Sequence, residues 1–408
     1  MTKITDVHAT EILDSRGNPT VQVTLSNKSA DATAKVPSGA STGRYEAHEL
    51  RDNDADRYRG KGVQRAITNV NTTIRQHIVE TNPSSQAVFD QTLNELDGTN
   101  TKSELGANAI LGCSMAYARL TAKTNGEPLH ATLGDNNRLP TPYANIINGG
   151  DHAGNDLALQ EFMITPITAA TPVEATKIIA ETYHELHDHI AATYGAQHTG
   201  VGDEGGFAPP VSDPEEAIEL ITTAAKQAGH ADSVRLAVDA AANEFHDEST
   251  NTYRVDGKSL RTDELTDYYT DLINDHPIIS LEDPFHDDDF EAFASLLDAV
   301  HGQARIVGDD LTVSNPERVE TAVDLQSADE LLLKVNQIGS VTEAKRAASI
   351  AHSAGWDVMV SHRSGETSDP FIIDLAIGIG AKHVKIGAPC RGERTAKYNR
   401  LLELAHSD

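Results

Sequence analysis

A chain of 408 residues with 38% hydrophobic content can hold two or three domains, or one large barrel with an addition, and is too apolar to be disordered throughout. Its 33 basic and 62 acidic residues give a formal charge of −29, which argues against a nucleic-acid surface and against docking on anionic lipid. Two cysteines, Cys113 and Cys390, cannot make a disulfide framework and fit a reducing, cytoplasmic setting. No apolar run approaches the ~18 residues of a membrane span, and the start MTKITDVHATEIL has no apolar stretch of the kind a signal peptide needs. The acidic excess comprises 35 Asp and 27 Glu against 19 Arg and only 14 Lys. An acidic, lysine-poor surface suits high ionic strength, which screens its self-repulsion, so a salt-adapted host is expected.

In chain order, Lys3 to about Val36 reads as strands, with Val21, Val23 and Leu25 alternating with polar residues. Helices follow. Val63, Ala66, Ile67, Val70, Ile74 and Ile78 define one apolar stripe, and Leu105 to Lys123, rich in Ala, Gly and Ser, predicts a closely packed helix. Residues 1–133 therefore form an expected α+β domain, and the turn-rich stretch 134–142 an expected linker. Across 143–408 one unit recurs, a short apolar strand ending in a polar residue and followed by an amphipathic helix. The strand ends are Asp239, Glu282 with Asp283, Asp309 with Asp310, Lys334, His362 with Arg363, and Lys385. The helical stretches between them include Phe290–Val300, Pro316–Val323 and Val341–Ala354.

Repeated β-then-α units imply parallel strands, and reactive side chains at successive strand ends imply a closed barrel with its site on that face. A doubly wound open sheet is the alternative, gathering ligands at one crevice. Neither a Walker A motif nor a GxGxxG fingerprint is present.

Asp239, Glu282 and Asp309 would converge on closure of such a barrel. Three carboxylates share a pocket only if a cation offsets their repulsion, and an all-oxygen set prefers a hard ion, Mg²⁺ before Zn²⁺. The bland alternative is a set of solvated acids in an acid-rich chain. Lys334, at the mouth of the apolar run LLL, is expected to have a depressed pKa and to act as a general base; otherwise it is a structural lysine paired with a carboxylate. Glu204 in VGDEGGF is a candidate acid kept protonated by burial, although DEGG alone is more often a turn. The small-residue loop SGASTG, containing Ser41, could close over a ligand or simply link elements. Arg363, Ser364 and Lys385 make a candidate phosphate grip, against the alternative of surface salt bridges. NGGDHAGNDLALQEFM adds His152, Gln160 and Glu161, of which a lone histidine is usually structural.

Taken together, DSRGNPTV, VPSGASTG, GANAILG, NGGDHAGN with QEFM, VGDEGGFAP, SLEDPF, GDDLTVSNP, LLLKVNQIG, SHRSGET and KIGAP resemble the enolase family, in the family's order and over nearly the whole chain. The resemblance implies an enolase-type eight-stranded β/α barrel, with an antiparallel strand near its start, capped by the N-terminal α+β domain. It implies reversible dehydration of 2-phospho-D-glycerate to phosphoenolpyruvate through an enediolate, with two Mg²⁺. By family role, Asp239, Glu282 and Asp309 hold the tighter metal and Ser41 helps bind the second. Lys334 takes the C2 proton, and Glu204 protonates the departing hydroxyl. Gln160, Arg363, Ser364 and Lys385 hold substrate, with His152 and Glu161 nearby. A homodimer, or an octamer built from dimers, is also implied. Gly392 stands where the family commonly has serine, and Cys390 where alanine is frequent, neither at a catalytic position. Two other readings remain: a related barrel enzyme abstracting an α-proton from another carboxylate, which would not need the phosphate grip, and an inactive binding protein, which would not need every catalytic position.

Overall fold

Alternating apolar residues set the first layer. A computed structural model describes residues 3–39 and 43–406. Its N-terminal part holds strands β1 (Ile4–Leu13), β2 (Pro19–Asn27) and β3 (Asp31–Lys35), antiparallel in that order. Val21, Val23 and Leu25 all point inward from β2 and are fully buried. The apolar stripe from Val63 to Ile78 is buried as expected. Its helix is not uniform, because a wider π-helical turn over Val70–Ile74 separates the α-helices Gln64–Asn69 and Arg75–Thr81.

Helix Ala107–Asn125 packs on β2 and β3 with 14 of its 19 residues buried. Gly112 permits the close approach, since a Cβ there would lie 2.5 Å from Val23 Cγ2 and 3.2 Å from Val36 Cγ2.

The chain then builds strands β4 (Thr141–Asn148), β5 (Glu161–Pro166) and β6 (Val234–Asp239). Thr141 and Pro142, inside the expected linker, already belong to β4. A small antiparallel sheet of β7 (His246–Asp247), β8 (Thr252–Val255) and β9 (Lys258–Leu260) follows, then helix Thr262–Asp275. These additions account for the long step between the strand ends at Asp239 and Glu282. The rhythm resumes with β10 (Ile278–Glu282), β11 (Arg305–Gly308), β12 (Glu330–Leu333), β13 (Asp357–Ser361) and β14 (His383–Lys385).

Around the ring the order is β4-β5-β6-β10-β11-β12-β13-β14, closing back on β4. Closure removes the open-sheet alternative. Every neighbouring pair is parallel except those of β5, which runs antiparallel to both β4 and β6. That reversal matters for chemistry, because Glu161, the first residue of β5, pairs with Asp239, the last of β6. Both therefore reach the same rim.

Inside the barrel, Tyr143, Met163, Ala237, Val307, Leu332 and Met359 form a buried apolar cluster. Outside it, helices Phe290–Ala299, Pro316–Asp324 and Val341–Ser353 begin at Asp289, Asn315 and Ser340, whose side chains accept from backbone N–H groups of the first turn. Among the described residues no helix is long and apolar enough to cross a membrane.

Gly112→Ala separates packing from helix propensity. Alanine in a helix interior is favoured over glycine by about 1 kcal/mol, whereas forcing a methyl into a filled contact costs about 1–3 kcal/mol. The expected result is a lower thermal midpoint by calorimetry; a raised midpoint would show that the helix can move off β2 without loss.

Candidate active site

The βα rhythm brings the strand-end residues to one cavity at the C-terminal mouth of the barrel. Its lining includes His152, Gln160, Glu161, Glu204, Asp239, Asp309, Lys334, Arg363, Ser364 and Lys385. Glu282 lies buried against the same group, its carboxylate on the Lys385 ammonium. Ser41 lies outside the described residues.

Lys385 is the hub. Its Nζ sits 2.9 Å from Glu282 Oε2, 3.0 Å from Glu161 Oε2 and 3.1 Å from Asp239 Oδ2, and the residue is 2% exposed. Burial alone would favour the neutral amine, but the surrounding carboxylates hold the ammonium well above its ordinary pKa. The side chain expected at the edge of a phosphate grip thus has its charge engaged by three carboxylates.

Asp309 is paired instead with the Lys334 ammonium. It also groups with Asp283 and Asp310, with one oxygen of each within 4.8 Å of the others. Asp283 fixes this segment by accepting from the backbone N–H groups of Asp309 (2.9 Å) and Asp310 (2.7 Å). Asp239 and Asp309 thus line the cavity and Glu282 is buried beside Lys385, so the three expected ligands are divided between two lysines.

With no metal charge beside them, two groups take directions opposite to those expected of the loaded site. Lys334 is not depressed: burial pulls its pKa down, but the touching Asp309 carboxylate outweighs burial and the nearby Arg363 and Lys385, and the net direction is up. Glu204 is not held protonated. Burial pushes it up, yet the His362 ring N–H, with His152 and the Arg394 charge, turns the net direction down, well below the usual carboxylate range. The carboxyl group driven toward its neutral form is Glu161, by burial first and then by the Glu204 charge, with Lys385 opposing. His152 Nδ1 stands between the two, 3.6 Å from Glu161 Oε1 and 3.8 Å from Glu204 Oε1. Two like charges in one dry site favour a single shared proton.

One remaining contact crosses between domains. Arg363 meets Glu46 of the N-terminal domain at 3.1 and 3.2 Å and Asn336 Oδ1 at 3.1 Å. The backbone N–H of Gln160 donates to Asp239 O at 3.0 Å, which seats that side chain at the rim. Sequence reasoning missed Glu46, His362 and Arg394 as site residues. Glu46 follows the SGASTG loop, His362 sits within SHRSGET and Arg394 within CRGER, so each was inside or beside a quoted motif without a chemical signature of its own.

The donor set suits a hard divalent cation. Eight carboxylates line the cavity (Glu46, Glu161, Glu204, Asp239, Glu244, Asp283, Asp309, Asp310) against three cationic side chains (Lys334, Arg363, Lys385). Burial and mutual repulsion raise Glu282 and Asp283 well above ordinary carboxylates, which marks uncompensated negative charge. A hard cation such as Mg²⁺, bound through oxygen, would relieve that excess.

Comparison with known proteins agrees with this architecture. The family model described as "Enolase, N-terminal domain" matches residues 4–133, and "Enolase, C-terminal TIM barrel domain" matches residues 136–407. The enolase of Methanopyrus kandleri is 50% identical over 409 aligned residues, covering 99% of this chain and 96% of its own. That of Methanosarcina acetivorans is 51% identical over 405 residues, covering 98% and 94% respectively. The Methanocaldococcus jannaschii enolase is 50% identical over 405 residues, covering 98% and 95%. With both family domains present in order and half of all aligned residues shared, this chain belongs to the enolase family.

Proposed function

We propose that this chain catalyses the reversible dehydration of 2-phospho-D-glycerate to phosphoenolpyruvate, as a phosphopyruvate hydratase of glycolysis and gluconeogenesis. The observation that carries the reading is the barrel mouth itself, where Lys334 and Glu204 join a carboxylate-rich wall and Arg363. Residues 1–133 act as the capping domain and 143–408 as the catalytic barrel, joined through 134–142. Asp239, Glu282 and Asp309 would hold one Mg²⁺, and Ser41 would help bind a second. When bound, Mg²⁺ offsets the negative charge that develops on the substrate carboxylate.

The chain's own groups do the rest. Lys334 accepts the C2 proton as a neutral amine, which becomes available when Asp309 no longer holds it as an ammonium. The electron pair left at C2 forms the C2–C3 double bond as the C3–O bond breaks. The departing hydroxyl leaves as water with a proton delivered through Glu204. Glu161, the member of the carboxyl pair driven toward neutrality, supplies the shared proton. Gln160, Arg363, Ser364 and Lys385 orient the substrate, with His152 beside the acid pair. The protein works in the cytoplasm as a homodimer or an octamer built from dimers. Its acidic, lysine-poor composition supports a salt-adapted host.

Two experiments test this. With 2-phosphoglycerate and Mg²⁺, in high salt if needed, phosphoenolpyruvate should appear by its ultraviolet absorbance and vanish on chelation. Lys334→Ala should slow exchange of the C2 proton by about 10²- to 10⁴-fold; exchange at the wild-type rate would remove Lys334 as the base. Salt dependence is the second. Thermal midpoint and turnover should both fall in salt-free buffer, and values equal to those in molar salt would contradict salt adaptation.

A further inference from the structure

Arg394 is 0% exposed, a permanent cation with no access to water. Each terminal nitrogen makes two contacts. Nη1 reaches His362 Nδ1 at 2.6 Å and the Arg363 carbonyl at 2.6 Å. Nη2 reaches the carbonyls of Asp203 at 2.9 Å and Ser364 at 2.7 Å. All four terminal N–H protons are thereby committed to the two segments that carry Glu204 and Arg363. A guanidinium is only ever a donor. His362 Nδ1 must therefore offer a lone pair, and the single proton of the neutral ring must sit on Nε2, which lies 3.2 Å from Glu204 Oε2.

We propose that Arg394 is a positioning residue that locks His362 as its Nε2–H tautomer, so that the ring donates to Glu204 and aims this carboxyl for proton delivery. The inference rests on the reading of Glu204 as proton carrier. Asn145 Nδ2 donates to the same oxygen, Glu204 Oε2, at 3.2 Å. With Asn145 donating to Oε2 and the His362 ring 3.2 Å from the same oxygen, Oε1, the oxygen that faces His152, is left to handle the proton. Burial, with the Arg394 charge beside it, pushes the His362 pKa down to about 4 against the pull of Glu204, so the ring stays neutral at working pH. The ring N–H is not aimed straight at Oε2, so a modest turn of Glu204 both completes this hydrogen bond and directs Oε1.

The full chain labelled with ¹⁵N-histidine gives the direct test, its His362 signals assigned by loss in His362→Gln. The two-bond ¹H–¹⁵N spectrum at neutral pH should show a neutral ring protonated at Nε2; protonation at Nδ1, or an imidazolium, overturns the proposal. Arg394→Lys, which keeps a cationic donor, should retain the Nε2–H form, whereas Arg394→Met should give a tautomer mixture. A single Nε2–H form in Arg394→Met removes Arg394 from the role. Kinetics separate orientation from packing. His362→Gln keeps an amide donor toward Glu204, and His362→Leu keeps bulk alone. The leucine variant should lose about 10- to 100-fold more kcat than the glutamine variant, at similar KM, and equal losses would make His362 merely structural. Should Arg394→Met or His362→Leu fail to fold, the wild-type spectrum, assigned through His362→Gln, still decides. Wild-type protein that does not dehydrate 2-phosphoglycerate would overturn the functional reading, while the spectrum continues to test the tautomer.

Discussion

Excess negative charge at one end of a closed barrel is the constraint from which the rest follows. Carboxylates placed together in a dry cavity cannot all stay ionised without cations beside them. The chain supplies Lys385 to Glu161, Asp239 and Glu282, and Lys334 to Asp309. These lysines do not balance the wall, and the remainder calls for a hard cation. Charge introduced from outside, by a metal or an anionic substrate, would rearrange which carboxylate holds which ammonium.

Geometry makes this possible at modest cost to the fold. Parallel strands deliver their last residues to one rim, and the lone reversal at β5 delivers its first residue, Glu161, to that same rim. The apolar cluster inside the barrel keeps the floor rigid, while Asp283 fixes the Asp309–Asp310 segment through two backbone N–H groups. Glu46 reaches across from the N-terminal domain to Arg363, so the cap completes the pocket and does more than cover it.

Much of this was legible in the sequence because strand ends obey a spacing rule. The βα rhythm placed Asp239, Glu282, Asp309, Lys334 and Lys385 at successive strand ends without any coordinates. The antiparallel β5 came only through family resemblance, since no local pattern separates a reversed strand from its neighbours. Protonation states were the least legible. In the metal-free site Lys334 and Glu204 are each governed by partners distant in the chain: Asp309 for one, His362, His152 and Arg394 for the other. The apolar stripe around Val70 announced its buried face but not its π-helical turn, which shifts the backbone while leaving that face buried.

The central claim is that the barrel-mouth carboxylates bind a divalent cation to relieve their own repulsion. Calorimetric titration of Mg²⁺ into the substrate-free protein, compared with Glu282→Gln, tests it most directly. The account predicts saturable binding to the wild type that is lost or greatly weakened when this one buried charge is removed. Equal Mg²⁺ affinity in the two proteins would contradict it.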